Sequence, residues 1–196
     1  MKTNLPALGL ILFAALWRVA IVYHPAWFNI APITALAFCG AAYFRDWRLC
    51  LIPFAALMLS DLWLNHYYAT EFGSTWSVGP ITVRLACFAA AVGIGRLVSR
   101  RRSFVNLLIG TLSCAFVFYL LTNTAAWFGD AYYPKNSVGW WQALTAGHPE
   151  FPPTLWFFRH TLFGDVLFTA IFVCAMEAAA KRTPIASAHS RTIPTP

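Results

Sequence analysis

Charge is what this sequence has least of. Only 11% of its 196 residues are charged, seven of them acidic, while 59% are hydrophobic. A soluble domain carries roughly 25% charged residues, which leaves a water-soluble globule without support. Cysteine is sparse as well. Cys39, Cys50, Cys87, Cys114 and Cys174 fall one to a hydrophobic run, with no CxxC pair and none in an outer loop. That argues against an extracellular disulfide framework and against a structural zinc site. Gly93-Ile94-Gly95 is no nucleotide loop, because no strand flanks it and it ends an apolar run. No internal repeat is visible, so a transporter built from two similar halves is not supported.

Long apolar runs are what the chain does have. They cover Leu5–Tyr23, Trp27–Phe44, Leu49–Tyr68, Gly79–Val98, Phe104–Phe128 and Thr154–Ala180. At roughly 20 residues per crossing, six spans fit. The expected fold is therefore all-α, a polytopic six-helix bundle over residues 1–182. The second run is the weak one: Pro32 is near its start and its clean core, Ala31–Phe44, is short enough for a re-entrant segment. Residues 183–196, rich in Pro, Ser and Thr, read as a disordered cytoplasmic tail. Lys2 ahead of an apolar stretch imitates a signal peptide, but Arg18 interrupts it and no small-x-small site follows.

The net charge of +7 is a topology signal. With both termini cytoplasmic, Lys2, Arg45, Arg48, Arg96, Arg100, Arg101, Arg102, Lys181, Arg182 and Arg191 are inside, and only Lys135 is in an outer loop. This points to an inner (cytoplasmic) membrane protein whose basic residues meet anionic lipid, with no nucleic-acid surface.

Ionisable residues within spans cost roughly 2.5–3.5 kcal/mol each on insertion scales. Arg18, Asp61, His66, Arg84, Arg159, His160 and Asp165 all fall between the outer surface and the midplane. Asp61 and Asn65 share a helix face, as do Thr161 and Asp165. An outward polar cavity is the functional expectation; interfacial snorkels and ion pairs such as Arg84 with Asp61 are the plainer one. Of nine tryptophans, Trp17, Trp27, Trp63, Trp76, Trp127, Trp140, Trp141 and Trp156 lie outward and only Trp47 inward. That split suggests that several line or cap a ligand site, with a thick aromatic belt as the alternative. The longest connection, Gly129–Pro153, carries Tyr132, Tyr133, Trp140 and Trp141 and reads as a lid. The pairs Ala37/Ala41, Ala86/Ala90 and Ala89/Gly93 read as close helix packing.

Phe28-Asn29-Ile30-Ala31-Pro32-Ile33-Thr34-Ala35-Leu36-Ala37, followed by Gly40-Ala41-Ala42-Tyr43-Phe44, resembles a signature of small membrane proteins related to ECF transporter S-components. Leu59-Ser60-Asp61-Leu62, Gly95-Arg96-Leu97, Asn123, Tyr133-Pro134-Lys135 and Phe158-Arg159-His160-Thr161-Leu162-Phe163-Gly164-Asp165 extend the resemblance, which runs from Trp27 to Ala175. It implies a six-helix subunit that captures a vitamin or metal from outside. Such subunits dock on a shared energising module through an Ala-xxx-Ala motif in their first helix. Here Ala7 is followed by Ile11, Ala14 by Arg18 and Ala15 by Val19, which argues against that partner. It favours the solitary, cobalamin-specific subgroup, in which a cysteine near the outer side ligates cobalt. By that resemblance Cys87 is the cobalt ligand, with Cys39 second, and cobalamin is the transported ligand rather than a resident cofactor. Arg84 is one turn from Cys87 and a cation there would favour the thiolate.

The substrate-binding set expected from the sequence is thus Asp61, Asn65, Arg84, Cys87, Tyr133, Trp140, Arg159, His160 and Asp165. Two rival readings stand beside it. An intramembrane aspartyl enzyme would use Asp61 and Asp165 sharing a proton, although Leu162 occupies the first glycine position of a GxGD motif. A purely structural membrane partner protein is the other.

Overall fold

The computed structural model describes residues 5–23, 33–44, 46, 49, 51–73 and 78–181. Among the described residues all regular structure is helical: α1 (Leu5–Ala20) with a 3₁₀ turn at Ile21–Tyr23, α2 (Ile33–Tyr43), α3 (Leu51–Phe72), α4 (Val78–Ser99), α5 (Phe104–Gly129), α6 (Ser137–Leu144) and α7 (Thr154–Lys181). Each expected span therefore appears as a helix, most within a residue or two. Trp27, Arg45, Trp47, Arg48, Cys50, Trp76 and the tail at 183–196 lie outside the described residues, as do most of the residues before Ile33 that carry the resemblance.

Among the described residues three helices are long and apolar enough to cross a membrane: α4 from Ile81, α5 and α7. Their outward faces are greasy, with Leu97, Phe104, Ile109, Phe116, Phe163 and Ile171 all exposed. α3 has comparable length but carries Ser60, Asp61, Asn65 and His66. The apolar stretches of α1 and α2, Gly9–Ala20 and Thr34–Tyr43, are shorter than a crossing.

α2 forms the axis of the bundle. It is apolar around its whole circumference, the pattern of a buried helix, and Ala35 through Ala42 are all buried. It touches α1, α3, α4, α5 and α7. The approach is closest at Phe38. A Cβ on Gly95 of α4 would come within 2.4 Å of the Phe38 carbonyl oxygen, and one on Gly110 of α5 within 2.5 Å of its ring. Ala37 and Ala41 are buried in this crossing, as their spacing suggested. Ala86, Ala89 and Gly93 are exposed, and a Cβ on Gly93 would meet nothing within 4 Å. Those small residues do not mark packing within the chain, because they occupy the face of α4 turned away from α2.

The bundle has two distinct ends. At one, α4 and α5 join by the tight turn at residues 100–103, where Arg101 donates its backbone N–H to the Val98 carbonyl at 3.0 Å. Ser103 caps α5 by accepting from the Asn106 N–H at 3.1 Å. The Arg102 guanidinium carbon lies 5.0 Å from the centre of the Tyr43 ring at the end of α2. At the other end, α5 and α7 are joined by residues 130–153, which fold over the bundle and contain α6. The crossing yields a direct expectation. Gly95→Ala should force α2 from α4 and destabilise by about 1–3 kcal/mol, while Gly93→Ala should be neutral or slightly stabilising. Melting curves of the two variants, purified in mild detergent, check this; equal melting temperatures would contradict the close crossing.

Candidate functional site

Two polar systems occupy this bundle, separated by α2. The first gathers on α1, α3 and α4. Asp61, 3% exposed at the middle of α3, receives the Arg84 Nε at 2.6 Å on one carboxylate oxygen and the Arg18 guanidinium on the other. Arg18 also donates to Ser60 Oγ at 2.8 Å, and Ser60 to the Leu57 carbonyl at 2.9 Å. The Arg84–Asp61 pair follows the expectation from sequence; Arg18 as a second partner was missed. Its signal was present, since a lone arginine in an apolar run needs a counter-charge. Helix adjacency, invisible in sequence, decides which one it finds.

The second system lies between α5, α7 and the 130–153 segment, which is a built cap rather than an open loop. Asn136 caps α6 by accepting from the Gly139 N–H at 2.9 Å. Gly139 is confined there, because a Cβ would come within 2.0 Å of the Pro134 carbonyl oxygen. Gly147 follows α6 in the left-handed region at φ +74°, where an L side chain is strained. Trp127 Nε1 donates to the Pro134 carbonyl at 2.8 Å, Trp140 Nε1 to Thr124 Oγ1 at 3.0 Å, and the Tyr119 hydroxyl to the Leu144 carbonyl.

Under this cap is a chamber of about 400 Å³ walled by Phe118, Tyr119, Phe151, Pro152, Phe157 and Phe158. Thr122, Asn123, Tyr133, His148, Thr154 and Thr161 supply its polar atoms. Among the described residues no carboxylate, lysine or arginine lines the chamber. Burial, then the charge of Asp130 and the neighbouring Tyr132, push the Tyr133 phenol above its ordinary range, so Tyr133 enters as a neutral donor. Asn123 donates one amide N–H to the Tyr119 carbonyl at 2.8 Å, which fixes its side chain. The ring of Tyr119 lies 4.5 Å from that of Phe158. Such a chamber suits an uncharged, flat or aromatic molecule with a few hydrogen-bonding groups.

The residues expected to bind substrate do not converge on one cavity. Of the nine, only Tyr133 lines the chamber. Asp61 and Arg84 belong to the arginine cluster, with half-buried Asn65 one turn further along α3. Trp140 braces the cap. Arg159 is exposed on α7, and His160 donates to the Trp156 carbonyl at 2.8 Å, with its ring 3.9 Å from the Trp156 ring. Cys87 is a buried free thiol on α4, 4% exposed, and lines neither the chamber nor the larger groove at the opposite end. Its expected cation, Arg84, is turned to Asp61. No described tryptophan lines the chamber either. Trp63 and Trp141 are exposed, and Trp17, Trp127, Trp140 and Trp156 are half-buried. Tyr119, His148 and Phe158 were missed as wall residues; their neighbours come from separate helices, so no local spacing reports them.

Asp165 is the exception among the polar groups. It is 1% exposed on α7; the backbone N–H of Ala35, in the first turn of α2, faces its carboxyl, and among the described residues no side chain donates a hydrogen bond to it. It shares no hydrogen bond with Asp61, whose two oxygens are held by arginines, so the shared-proton pair of an aspartyl enzyme is not formed. Among the described residues no group of three His, Cys, Asp or Glu could hold a metal ion.

The arginine cluster generates a graded expectation. Asp61→Asn strands two guanidinium groups and should destabilise by about 3–5 kcal/mol. Arg84→Gln should cost less, because Arg18 still neutralises the carboxylate. Adding Arg84→Gln to Asp61→Asn should recover part of the loss. Thermal unfolding of the single and double variants checks the order; strictly additive losses would contradict the shared carboxylate.

Neither the curated proteins nor the solved structures contain a significant match to this chain. A protein-family model matches residues 1–187, and the chain belongs to that family, DUF6580, a family of unknown function.

Proposed function

We propose that this chain is a multi-pass protein of the inner (cytoplasmic) membrane that captures a small molecule from the non-cytoplasmic side and moves it inward, in the manner of an ECF-type S-component. The capped chamber between α5 and α7 carries this reading: about 400 Å³ falls within the range of small-molecule sites, roughly 300–1,000 Å³. In the proposed arrangement six helices span, with both termini cytoplasmic. α4, α5 and α7 are the long lipid-facing crossings, and α1, α2 and α3 complete the bundle. The basic residues support that orientation. Arg96, Arg100, Arg101, Arg102 and Lys181 gather at the tight-turn end and only Lys135 belongs to the cap.

Cobalamin is the ligand that the resemblance suggests, bound through Cys87 as cobalt ligand. A corrinoid is much larger than a drug-sized ligand, and the half-open chamber of about 400 Å³ would take one only with the cap lifted. The capture reading rests on the chamber, and the cobalamin reading rests on the resemblance.

Two expectations separate these readings. With the native protein as baseline, Ser137→Cys in the cap should react with an impermeant thiol reagent in intact cells, and Ser99→Cys only after lysis. Labelling of Ser99→Cys in intact cells would overturn the orientation. Protein purified after growth with cobalamin should show corrinoid absorption bands, and Cys87→Ser should shift them and weaken binding. A colourless, folded protein would eliminate cobalamin and leave the chamber to a smaller ligand.

A further inference from the structure

The face of α7 that holds Asp165 runs between two cavities. Thr161, one turn earlier, lines the capped chamber. Thr169, one turn later, lines a groove of about 1130 Å³ between α5 and α7 that opens at the tight-turn end beside Arg102 and Glu177. Residues four apart share a helix face, so Thr161, Asp165 and Thr169 form one polar stripe, with the carboxyl at its closed midpoint. Thr111 of α5 lines the same groove and donates to Thr169 Oγ1 at 3.1 Å. Cys39 of α2 reaches Thr169 Oγ1 from the other side at 3.8 Å.

We propose that Asp165 is a proton-carrying carboxyl that exchanges its proton with the chamber and the groove in turn, so that movement through this bundle is proton-linked. The groups packed around it leave few alternatives. α2 contributes the Cys39 thiol and the backbone amide of Ala35, and α5 contributes the Cys114 thiol, while the Thr111 hydroxyl is bonded to Thr169. α1 packs here through Phe13 against Phe168, and its Arg18 is held by Asp61 and Ser60. α6 meets α7 where the Thr145 carbonyl accepts from the Leu155 N–H. Among the described residues no cation faces Asp165. An ionised carboxylate so deeply enclosed, with one backbone amide and no described cation facing it, is costly, and a proton removes the charge. A hard metal cation fits poorly, because it takes about six oxygen ligands and two of these neighbours are thiols. In each exchange the carboxylate takes a proton from one cavity and releases it to the other, and no group is oxidised or reduced.

This goes beyond ligand capture, and its test does not depend on any cargo. Membranes containing the full chain are treated with dicyclohexylcarbodiimide and the adducts mapped by peptide mass spectrometry. The reagent takes the carboxyl proton onto nitrogen while the carboxyl oxygen adds to its central carbon, so it reports protonated acids in apolar surroundings. Rearrangement then leaves a stable acylurea. At neutral pH Asp165 should be labelled about tenfold or more over arginine-paired Asp61, and the label should fall as pH rises. Asp165→Asn, which mimics the neutral acid, should lose the label and keep the wild-type melting temperature. Wild-type protein labelled no more at Asp165 than at Asp61 overturns the proposal whether or not the variant folds. Protection of Asp165 by added sodium overturns it in favour of a bound metal cation.

Discussion

Everything in this bundle hangs on the crossing of α2 with α4 and α5. A helix that is apolar on every side has to be enclosed on every side, and here five helices enclose it. The enclosure works because Gly95 and Gly110 leave room for Phe38, its backbone on one side and its ring on the other. With no hydrophobic drive separating one apolar surface from another in lipid, such close van der Waals contact is what holds helices together. α2 also brings Cys39 and the Ala35 amide against Asp165, so the crossing that fixes the fold fixes the surroundings of its most buried acid.

Because α2 offers no polar face, polar chemistry is pushed to the helices around it and divides in two. Asp61 and Asp165 are both aspartates within apolar helices, at 3% and 1% exposure, yet they have opposite surroundings. Asp61 is bracketed by Arg18 and Arg84 and belongs to a cluster with one excess positive charge, a structural arrangement that resists change. Asp165 has the Cys39 and Cys114 thiols and the Ala35 backbone amide near it and, among the described residues, no counter-charge. The first carboxyl is committed to its partners, and on the proton-carrying reading proposed above the second changes state; acids in such perturbed surroundings cluster at functional sites.

The chamber and the groove give the same division a spatial form. Both are bounded by α5 and α7, and they open at opposite ends of the bundle. The cap closes one end by side chains that bond to backbone carbonyls: Trp127 to Pro134, Tyr119 to Leu144. These anchors come from α5, and the Leu155 N–H of α7 adds a bond to the Thr145 carbonyl, so lifting the cap means breaking bonds to both helices. A neutral chamber under such a cap selects by shape and by a few directed hydrogen bonds rather than by charge.

Helix number and limits were legible in the sequence because long apolar runs broken by arginine, proline or glycine admit few other structures in a nonpolar solvent. The Asp61–Arg84 pair was legible for a related reason: an unpaired charge there is costly enough to demand a partner. Arg18 as a second partner, the absence of tryptophan from the chamber and the helix inside the cap were not legible. The expectation that the polar residues would share one outward cavity failed on the same ground. Period and spacing tell which residues share a face of one helix, and an apolar helix such as α2 has no polar face to orient it. Composition and hydrophobic runs by themselves determined that the chain is helical and where its charges are rare. Which helix lies at the centre, and therefore which acid meets arginine and which meets thiols and a backbone amide, was decided by tertiary packing alone, through the two glycines that let α2 in.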